Sequence, residues 1–116
     1  MNAGHDPGHA ATALVDGLRG QEVLELPGAD DSKLLVGGGP ELFTVLAMIG
    51  PDAFFDVVGD AGAEDEVDVL IGGTRTPWPR RLCASREQAI TAVEYWLTSG
   101  GLGPTLRWER QDSTRL

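Results

Sequence analysis

The sequence is poor in the residues that would cross-link it or anchor it in a membrane. Its 116 residues include a single cysteine, Cys83, so no disulfide can form within the chain. The longest apolar run, LFTVLAMI at 42–49, is much shorter than the ~18 residues that suggest a membrane-spanning helix. The first ten residues contain no basic segment followed by an apolar one, so no signal peptide is visible. We therefore expect a cytoplasmic protein that does not associate with membranes.

Positive charge is also scarce, and it is unevenly distributed. The formal net charge is −9 at pH 7. Residues 1–68 contain 14 acidic and 2 basic residues, a net −12, whereas residues 69–116 contain 4 and 7, a net +3. A negative chain repels the phosphates of nucleic acids and anionic membranes, so neither is an expected partner. The acidic half indicates a basic partner, and the alternative is an acidic surface that only promotes solubility.

Length and composition indicate one globular domain. A chain of this size buries roughly two-thirds of its unfolded surface, which is enough for one hydrophobic core without disulfides. We expect residues 1–8 to be a flexible lead, residues 9–110 a single domain and residues 111–116 a polar tail. The 16 glycines are about twice the usual share, which predicts many turns and short strands.

Two helices are predicted, one near each end of the domain. Near the N-terminus, apolar residues recur at helical spacing until Gly20 ends the pattern; they are Ala11, Leu14, Val15 and Leu18. In the second, SREQ at 85–88 is a capping box that joins Ser85 and Gln88 through two hydrogen bonds. Gly100 or Gly101 then provides a left-handed cap. The apolar stripe of this helix consists of Ala89, Ile90, Val93, Trp96 and Leu97.

The residues between the helices are typical of a meander of about five strands. The candidate strands are EVLEL (22–26), KLLVG (33–37), ELFTVLAMI (41–49), AFFDVVG (53–59), VDVLIGG (67–73) and WPRRLCA (78–84), with TRTP (74–77) as a turn and PTLRWER (104–110) as a closing strand. The longest run predicts a central strand covered on both faces. The prolines beside Trp78 predict an edge strand. This order predicts an α+β fold: a mostly antiparallel sheet of about five to six strands with both helices packed on it.

The most unusual segment is GDAGAEDEVDV at 59–69. Five acidic residues fall within nine positions: Asp60, Glu64, Asp65, Glu66 and Asp68. A calcium loop starting at Asp60 needs glycine at its sixth position and an acid at its twelfth, but Asp65 and Ile71 stand there, so we expect no metal site. The stretch is therefore either a hairpin tip with solvated carboxylates or a surface that contacts a partner.

No catalytic or cofactor-binding constellation is recognisable. Acids on a glycine-rich turn are usually exposed, and nothing in the sequence marks one for burial, which argues against carboxylate catalysis. Cys83 follows two arginines that could lower its thiol pKa, but the candidate bases, His5 and His9, lie at the N-terminus, in or beside the lead. We expect Cys83 to be a buried strand residue. We expect no catalytic residue, cofactor or metal, which favours a binding function over an enzymatic one.

Two further motifs suggest nucleic-acid or phosphate binding, but only weakly. The segment GGTRTPWPRR gathers residues that can stack on and pair with nucleic acid, namely Arg75, Trp78, Arg80 and Arg81. The net charge opposes that function, so a structural edge strand is the expectation. VGGGPE at 36–41 lacks the lysine of a phosphate-binding loop. Trp96 and Trp108 are expected to pack in the core.

The last third of the chain resembles a known family. The segment VDVLIGGTRTPWPRRLCASREQAITAVEYWLTSGGLGPTLRWER has, in order, a strand ending at a glycine pair, a proline-containing strand, a helix begun by a small polar cap, a Gly-Pro turn and a strand with tryptophan. In this arrangement it resembles the C-terminal part of immunity proteins of bacterial polymorphic toxin systems, in the Imm-one family. Residues 66–110 carry the resemblance, and the N-terminal half is compatible in order and length.

The resemblance implies a small cytoplasmic α+β protein that binds and neutralises a cognate toxin, often a nuclease or a nucleic-acid deaminase. It implies no catalytic residues, and it implies that Gly72 and Trp108 are framework positions. Toxins that attack nucleic acid carry basic clefts for phosphate, and clustered carboxylates can occupy such a cleft and accelerate association. The hypothesis is that the five acids of 60–68 bind the toxin and occlude its active site electrostatically.

Two further expectations accompany this hypothesis. Phe54, Phe55 or Trp78 would anchor the contact if they were exposed, although core packing is the favoured expectation for them. The alternative function is a small-molecule-binding or accessory domain without a toxin partner. That alternative predicts an internal pocket between the sheet and the helices.

Overall fold

The fold is seen in a computed structural model that describes residues 7–111. Within that range the chain forms α1 (Pro7–Asp16), β1 (Leu24–Pro27), β2 (Lys33–Gly38), β3 (Phe43–Ile49), β4 (Ala53–Val57), β5 (Glu66–Ile71), β6 (Thr74–Pro79), a 3-10 turn (Arg80–Leu82), β7 (Cys83–Ala84), α2 (Arg86–Ser99) and β8 (Trp108–Gln111). The predicted α+β class, an antiparallel sheet with one helix before it and one after most of it, is confirmed. Neither helix is long and apolar enough to cross a membrane.

The main sheet is antiparallel and has six strands. Five of them lie in the order β1-β2-β3-β4-β8, and the short β7 pairs with the beginning of β3. The first four strands form the predicted meander because each turn returns the chain beside the strand that precedes it. β8 is shorter than the predicted 104–110 strand, and it pairs with β4. The predicted central strand is β3, which lies in the middle of the sheet.

Both helices contribute to the hydrophobic core on one face of the sheet. The core residues, each at most 4% exposed, are Ala11, Val15, Leu18, Leu34, Val36, Phe43, Val45, Ala47, Val57, Ala84, Ala89, Ala92, Val93 and Trp96. The two helices are joined by a forked ion pair in which the Arg86 guanidinium donates to both oxygens of Asp16 at 2.7 and 2.9 Å. This hydrogen bonding lowers the pKa of the Asp16 carboxyl. The helical layer is thus held by apolar burial and by one exposed polar link.

The ends of α2 are formed as the sequence predicts. The Ser85 hydroxyl accepts from the Gln88 amide at 3.1 Å, and the Gln88 side chain accepts from the Ser85 amide at 2.9 Å. Gly100 has a φ of 75° and provides the left-handed cap. The predicted apolar stripe is wrong at one position, because Leu97 is 43% exposed. Ala92, which the stripe omitted, is buried instead.

The region after residue 66 differs most from the sequence prediction. TRTP is not a turn, because all four residues belong to β6, which pairs only with β5 in a separate two-stranded sheet. The turn is formed by Gly72 and Gly73, whose φ angles of 57° and 81° suit a tight two-residue hairpin connection. WPRRLCA is also not one strand, since it is divided among β6, the 3-10 turn and β7.

The β5–β6 hairpin lies against the end of the main sheet. A Cβ added to Gly37 would lie 3.0 Å from the Ile71 side chain, and one added to Gly38 would lie 3.0 Å from Val69. At the hairpin turn, the Gly73 amide donates to the Gly20 carbonyl at 2.8 Å. Glycines in β2 therefore let the hairpin approach the sheet closely.

At the N-terminus, α1 begins at Pro7, two residues before the predicted start of the domain. Proline is well tolerated in the first turn of a helix, where its missing amide hydrogen has no intrahelical partner to lose. The remainder of the predicted lead, residues 1–6, lies outside the described residues, as does the predicted tail after Gln111.

Candidate protein-binding surface

The acidic stretch joins the main sheet to the separate hairpin. Asp60, Glu64 and Asp65 lie in the loop between β4 and β5, whereas Glu66 and Asp68 lie in β5 itself. The stretch is therefore not a hairpin tip, because the tip is formed by the glycine pair at 72–73. All five acidic residues are exposed. Together they are called the acidic hairpin surface.

One of these five acids has a structural role. The Arg80 guanidinium donates to both carboxylate oxygens of Asp65 at 3.0 and 2.9 Å, and the Arg80 amide donates to the Asp65 carbonyl at 3.0 Å. These bonds join the two chain segments at the open end of the hairpin. Hydrogen bonding to Arg80 lowers the pKa of the Asp65 carboxyl. Asp65 is thus already neutralised by a cation of its own chain.

The other four acids have no ion pair within residues 7–111; they are Asp60, Glu64, Glu66 and Asp68. In the hairpin, Glu66 lies opposite Pro79 and Asp68 lies opposite Pro77. Side chains directly opposite each other on paired strands share a face, so the nearest cross-strand neighbours of both carboxylates are uncharged rings. Arg75 of the partner strand lies opposite Leu70, one pair further along the same face and diagonal to Asp68, so it offsets part of this negative charge.

Asp56 is a carboxylate whose burial no local sequence pattern predicts. This residue is 4% exposed and lies directly opposite Glu109 where β4 pairs with β8. Burial, and then the neighbouring Glu109 charge, raise the pKa of Asp56 to about 6. Its Oδ1 atom has no hydrogen-bond partner. The acids of the glycine-rich turn are exposed, as expected, whereas Asp56, a single acid within a strand, is buried.

The neighbour of Asp56 is engaged in an ion pair. The Arg81 guanidinium donates to the two oxygens of Glu109 at 3.3 and 2.6 Å, and the Gln111 amide donates to Glu109 at 3.3 Å. A cavity of about 230 Å³ beside this cluster is lined by Val58, Ala61, Arg81, Arg107, Trp108 and Glu109, and not by Asp56. A substrate bound in this cavity would therefore not contact the Asp56 carboxyl, whose pKa is raised.

The alternation of β4 could have revealed this position. In AFFDVVG, Val57 belongs to the hydrophobic core and Phe55 packs against it, so Asp56 between them points to the opposite face of the sheet. The sequence does not show that β8 pairs with β4 at this position, because the paired residues are about fifty positions apart in the chain.

The candidate aromatic anchors occupy different environments. Phe55 packs against the main core, as favoured. Phe54 is half-buried on the other face of the sheet, in a cross-strand row with Met48 and Gln111. Trp78 is half-buried, and its indole nitrogen is buried without a hydrogen-bond partner. Trp96 is 4% exposed, and Trp108 is partly buried against the core.

Most of the remaining candidate residues are ion-paired or buried within the fold. Arg80 and Arg81 are held by carboxylates, and Arg75 is exposed on β6. Cys83 is buried, as expected, and burial raises the pKa of its thiol against the opposing effect of Arg80. His9 is exposed on α1, whereas His5 lies outside the described residues. The part of the chain that the structure describes contains no group of three or more metal-ligating side chains.

No family model matches this chain, and no curated protein matches it.

Proposed function

We propose that this protein is an immunity protein that binds a basic bacterial toxin domain and occludes its active site. The observation that carries the proposal is the acidic hairpin surface. Four of its five carboxylates are exposed and have no ion pair within the described residues. A surface of one charge sign favours encounter with a partner of opposite sign and accelerates association. A toxin that acts on nucleic acid has such a basic cleft.

The arrangement of the hairpin supports this role. Asp65 and Arg80 close its open end, and the tight Gly72–Gly73 turn closes the other. Glu66 and Asp68 lie on a strand between these two ends. Charges on a regular strand lose less conformational freedom on binding than charges on a flexible loop, so more of the electrostatic attraction remains as affinity.

The alternative, a small-molecule-binding or accessory domain, is less well supported. It predicts a pocket between the sheet and the helices. That layer is occupied by side chains that are at most 1% exposed, among them Val15, Leu34, Phe43, Val45 and Val93. Filled core packing of this kind leaves little room for a ligand without displacing hydrophobic side chains.

The proposal is tested with the proteins of the native cell. A tagged copy of the chain is purified from cells shown to express the neighbouring gene products, and the proteins that accompany it are identified by mass spectrometry. The captured domain is then expressed alone in a host, with and without this chain. We expect a basic domain that elutes at moderate salt and whose toxicity this chain suppresses. Capture of no protein, or of one whose expression does not harm the host, would contradict the proposal.

The contribution of the surface is tested by charge reversal. Glu66→Lys together with Asp68→Lys should lower the association rate about tenfold or more at low salt and weaken its salt dependence. The matched control is Asp52→Lys with Glu94→Lys, which makes the same change in net charge at two exposed acids on other elements. Equal effects of the two double variants in stopped-flow measurements would show that only net charge matters, and not this surface.

A further inference from the structure

The strand β8 is short and is held to the main sheet along one side. It has four residues, and within residues 7–111 it pairs only with β4. Trp108 packs against the hydrophobic core and donates its indole N–H to the Gly103 carbonyl at 2.9 Å, whereas residues 109–111 do not contribute to the core. Short edge segments with few buried apolar side chains open at a lower free energy than the whole domain. Residues 109–111 can therefore leave the sheet while Trp108 stays in place.

A buried carboxyl, Asp56, lies on β4 directly opposite Glu109. It is 4% exposed, and its Oδ1 atom has no hydrogen-bond partner. On its other side, the residue opposite Asp56 is Leu46 of β3, which offers neither a charge nor a hydrogen bond. Ionisation of a buried carboxyl is costly unless the carboxylate is paired and fully hydrogen-bonded. Opening of β8 would bring water to Asp56 and relieve this cost.

The charged groups around Asp56 do not balance its carboxylate. Glu109 has the same sign, and the cation of the cluster, Arg81 of the 3-10 turn, donates to both oxygens of Glu109 at 3.3 and 2.6 Å. Burial and the Glu109 charge therefore raise the pKa of Asp56 to about 6, against the opposing effects of the Gln111 side chain and Arg81. One guanidinium thus faces two carboxyl groups, and the closed sheet favours the neutral form of the buried one.

We propose that β8 is a pH-sensitive edge strand: it stays paired with β4 while Asp56 is protonated, and ionisation of Asp56 shifts residues 109–111 towards an open form that has left the sheet. In the open form the Asp56 carboxylate is hydrated and separated from Glu109. The β4 edge is then unpaired, and the Phe55 ring loses the Arg110 guanidinium, which lies 6.0 Å from the ring centroid in the closed form. Acidification therefore closes this edge of the sheet.

The size of the effect follows from proton linkage. In the open form we expect Asp56 to titrate at its ordinary pKa of 3.8, and in the closed form at about 6. The closed form then binds more protons between these values, so the ratio of open to closed molecules should rise about tenfold between pH 5 and pH 7.5. This inference goes beyond the proposed function and does not depend on it, because it needs no toxin and does not involve the acidic hairpin surface.

The test is amide hydrogen exchange of the isolated chain, followed by NMR between pH 5 and pH 7.5 with and without low concentrations of urea. Rates are divided by the intrinsic exchange rate at each pH. We expect the amides of the β4–β8 ladder to exchange through an opening that urea hardly accelerates and that increases about tenfold with pH. The central β2–β3 ladder should exchange more slowly and through urea-sensitive global unfolding.

Two outcomes of this measurement would overturn the proposal. Equal exchange rates and equal urea dependence in the two ladders would show that β8 leaves the sheet only when the whole domain unfolds. An opening of the β4–β8 ladder that does not change with pH would show that Asp56 has no influence on it.

Variants establish whether Asp56 is responsible. Asp56→Asn keeps the shape of the side chain and cannot ionise, so the opening of β8 should change less than threefold over the same pH range. Asp52→Asn is the matched control, since it removes an exposed acid in the turn before β4, and it should retain the tenfold rise. A tenfold rise that persists in Asp56→Asn, or one that disappears equally in Asp52→Asn, would overturn the role of Asp56.

Discussion

At the scale of single residues, Asp56 is a buried carboxylate within the strand β4. A lone acid within an apolar strand gives no sign of its environment. In the fold it is 4% exposed, it faces Glu109, and one of its oxygens has no hydrogen-bond partner. Each feature disfavours the charged form, which is why its pKa rises from 3.8 to about 6. The residue therefore makes stability depend on pH.

The direction of this dependence follows from proton binding. The unfolded chain releases the Asp56 proton near pH 3.8 and the folded chain near pH 6, so the folded state binds more protons between those values. The Asp56 contribution is therefore most favourable below pH 3.8 and is lost as pH rises through 6. The loss amounts to about 2 to 3 kcal/mol. Asp16 and Asp65 have the opposite effect, because their pKa values are lowered in the fold. Their contribution to stability is present when they are ionised and is lost as pH falls.

Asp56→Asn should remove the loss of folding stability that ionisation of Asp56 causes as pH rises through 6. We expect the variant to be more stable than the parent at pH 7.5 by about 1–2 kcal/mol and to lose that advantage at pH 4. The measurement is urea denaturation of both proteins across this pH range, and their difference cancels the contributions of the other acids. A constant difference at all pH values, or an Asp56 carboxyl that titrates near pH 4 in NMR spectra, would contradict the assignment.

At the scale of elements, local signals were reliable where a residue acts on its own neighbours. The capping box and the left-handed glycine placed both ends of α2 correctly. The glycine pair at 72–73 is an equally local signal for a turn, but the alternation of VDVLIGG places it at the end of a strand and the proline of TRTP favours a turn there instead. A turn shifted by two residues changes every strand pairing after it, which is why the predicted hairpin differs from the one in the structure.

Removal of the α2 cap is a direct test of this local contribution. Ser85→Ala deletes the acceptor of the Gln88 amide and should lower stability by about 1 kcal/mol. Ser99→Ala, at the other end of the same helix, is the matched control and should have a smaller effect. It deletes only a bond to the Tyr95 carbonyl at an exposed position. Equal losses in thermal denaturation would show that the cap contributes nothing specific.

At the scale of the whole molecule, the excess of negative charge opposes folding. The net charge of −9 is spread over a small domain, and the ion pairs of the described residues all have side chains at least 34% exposed. Exposed pairs stabilise by about 0–1 kcal/mol each at most. Self-repulsion among the unpaired acids is therefore the larger electrostatic effect.

Salt should consequently stabilise this protein. We expect the Tm to rise by several degrees between about 20 and 300 mM sodium chloride, because the Debye length falls over this range from roughly 20 Å to about 6 Å and the repulsion between exposed acids is increasingly screened. Glu66→Lys with Asp68→Lys should reduce the rise, since it lowers the repulsion at the densest cluster. Differential scanning calorimetry provides the measurement. A Tm that is unchanged or falls with salt would indicate that favourable ion pairs outweigh the repulsion.

The sequence by itself determined the fold class, both helices, the central strand, the α2 caps and the composition of the acidic stretch. These depend on periodicity and on residues within four positions of each other, which any single chain displays. Only the tertiary structure decided that β8 pairs with β4, that Asp56 is thereby buried beside Glu109, and that the hairpin leaves the main sheet. It also decided that Asp65 is held by Arg80. Each of these depends on the pairing of distant segments, which is governed by packing and not by local residue preference.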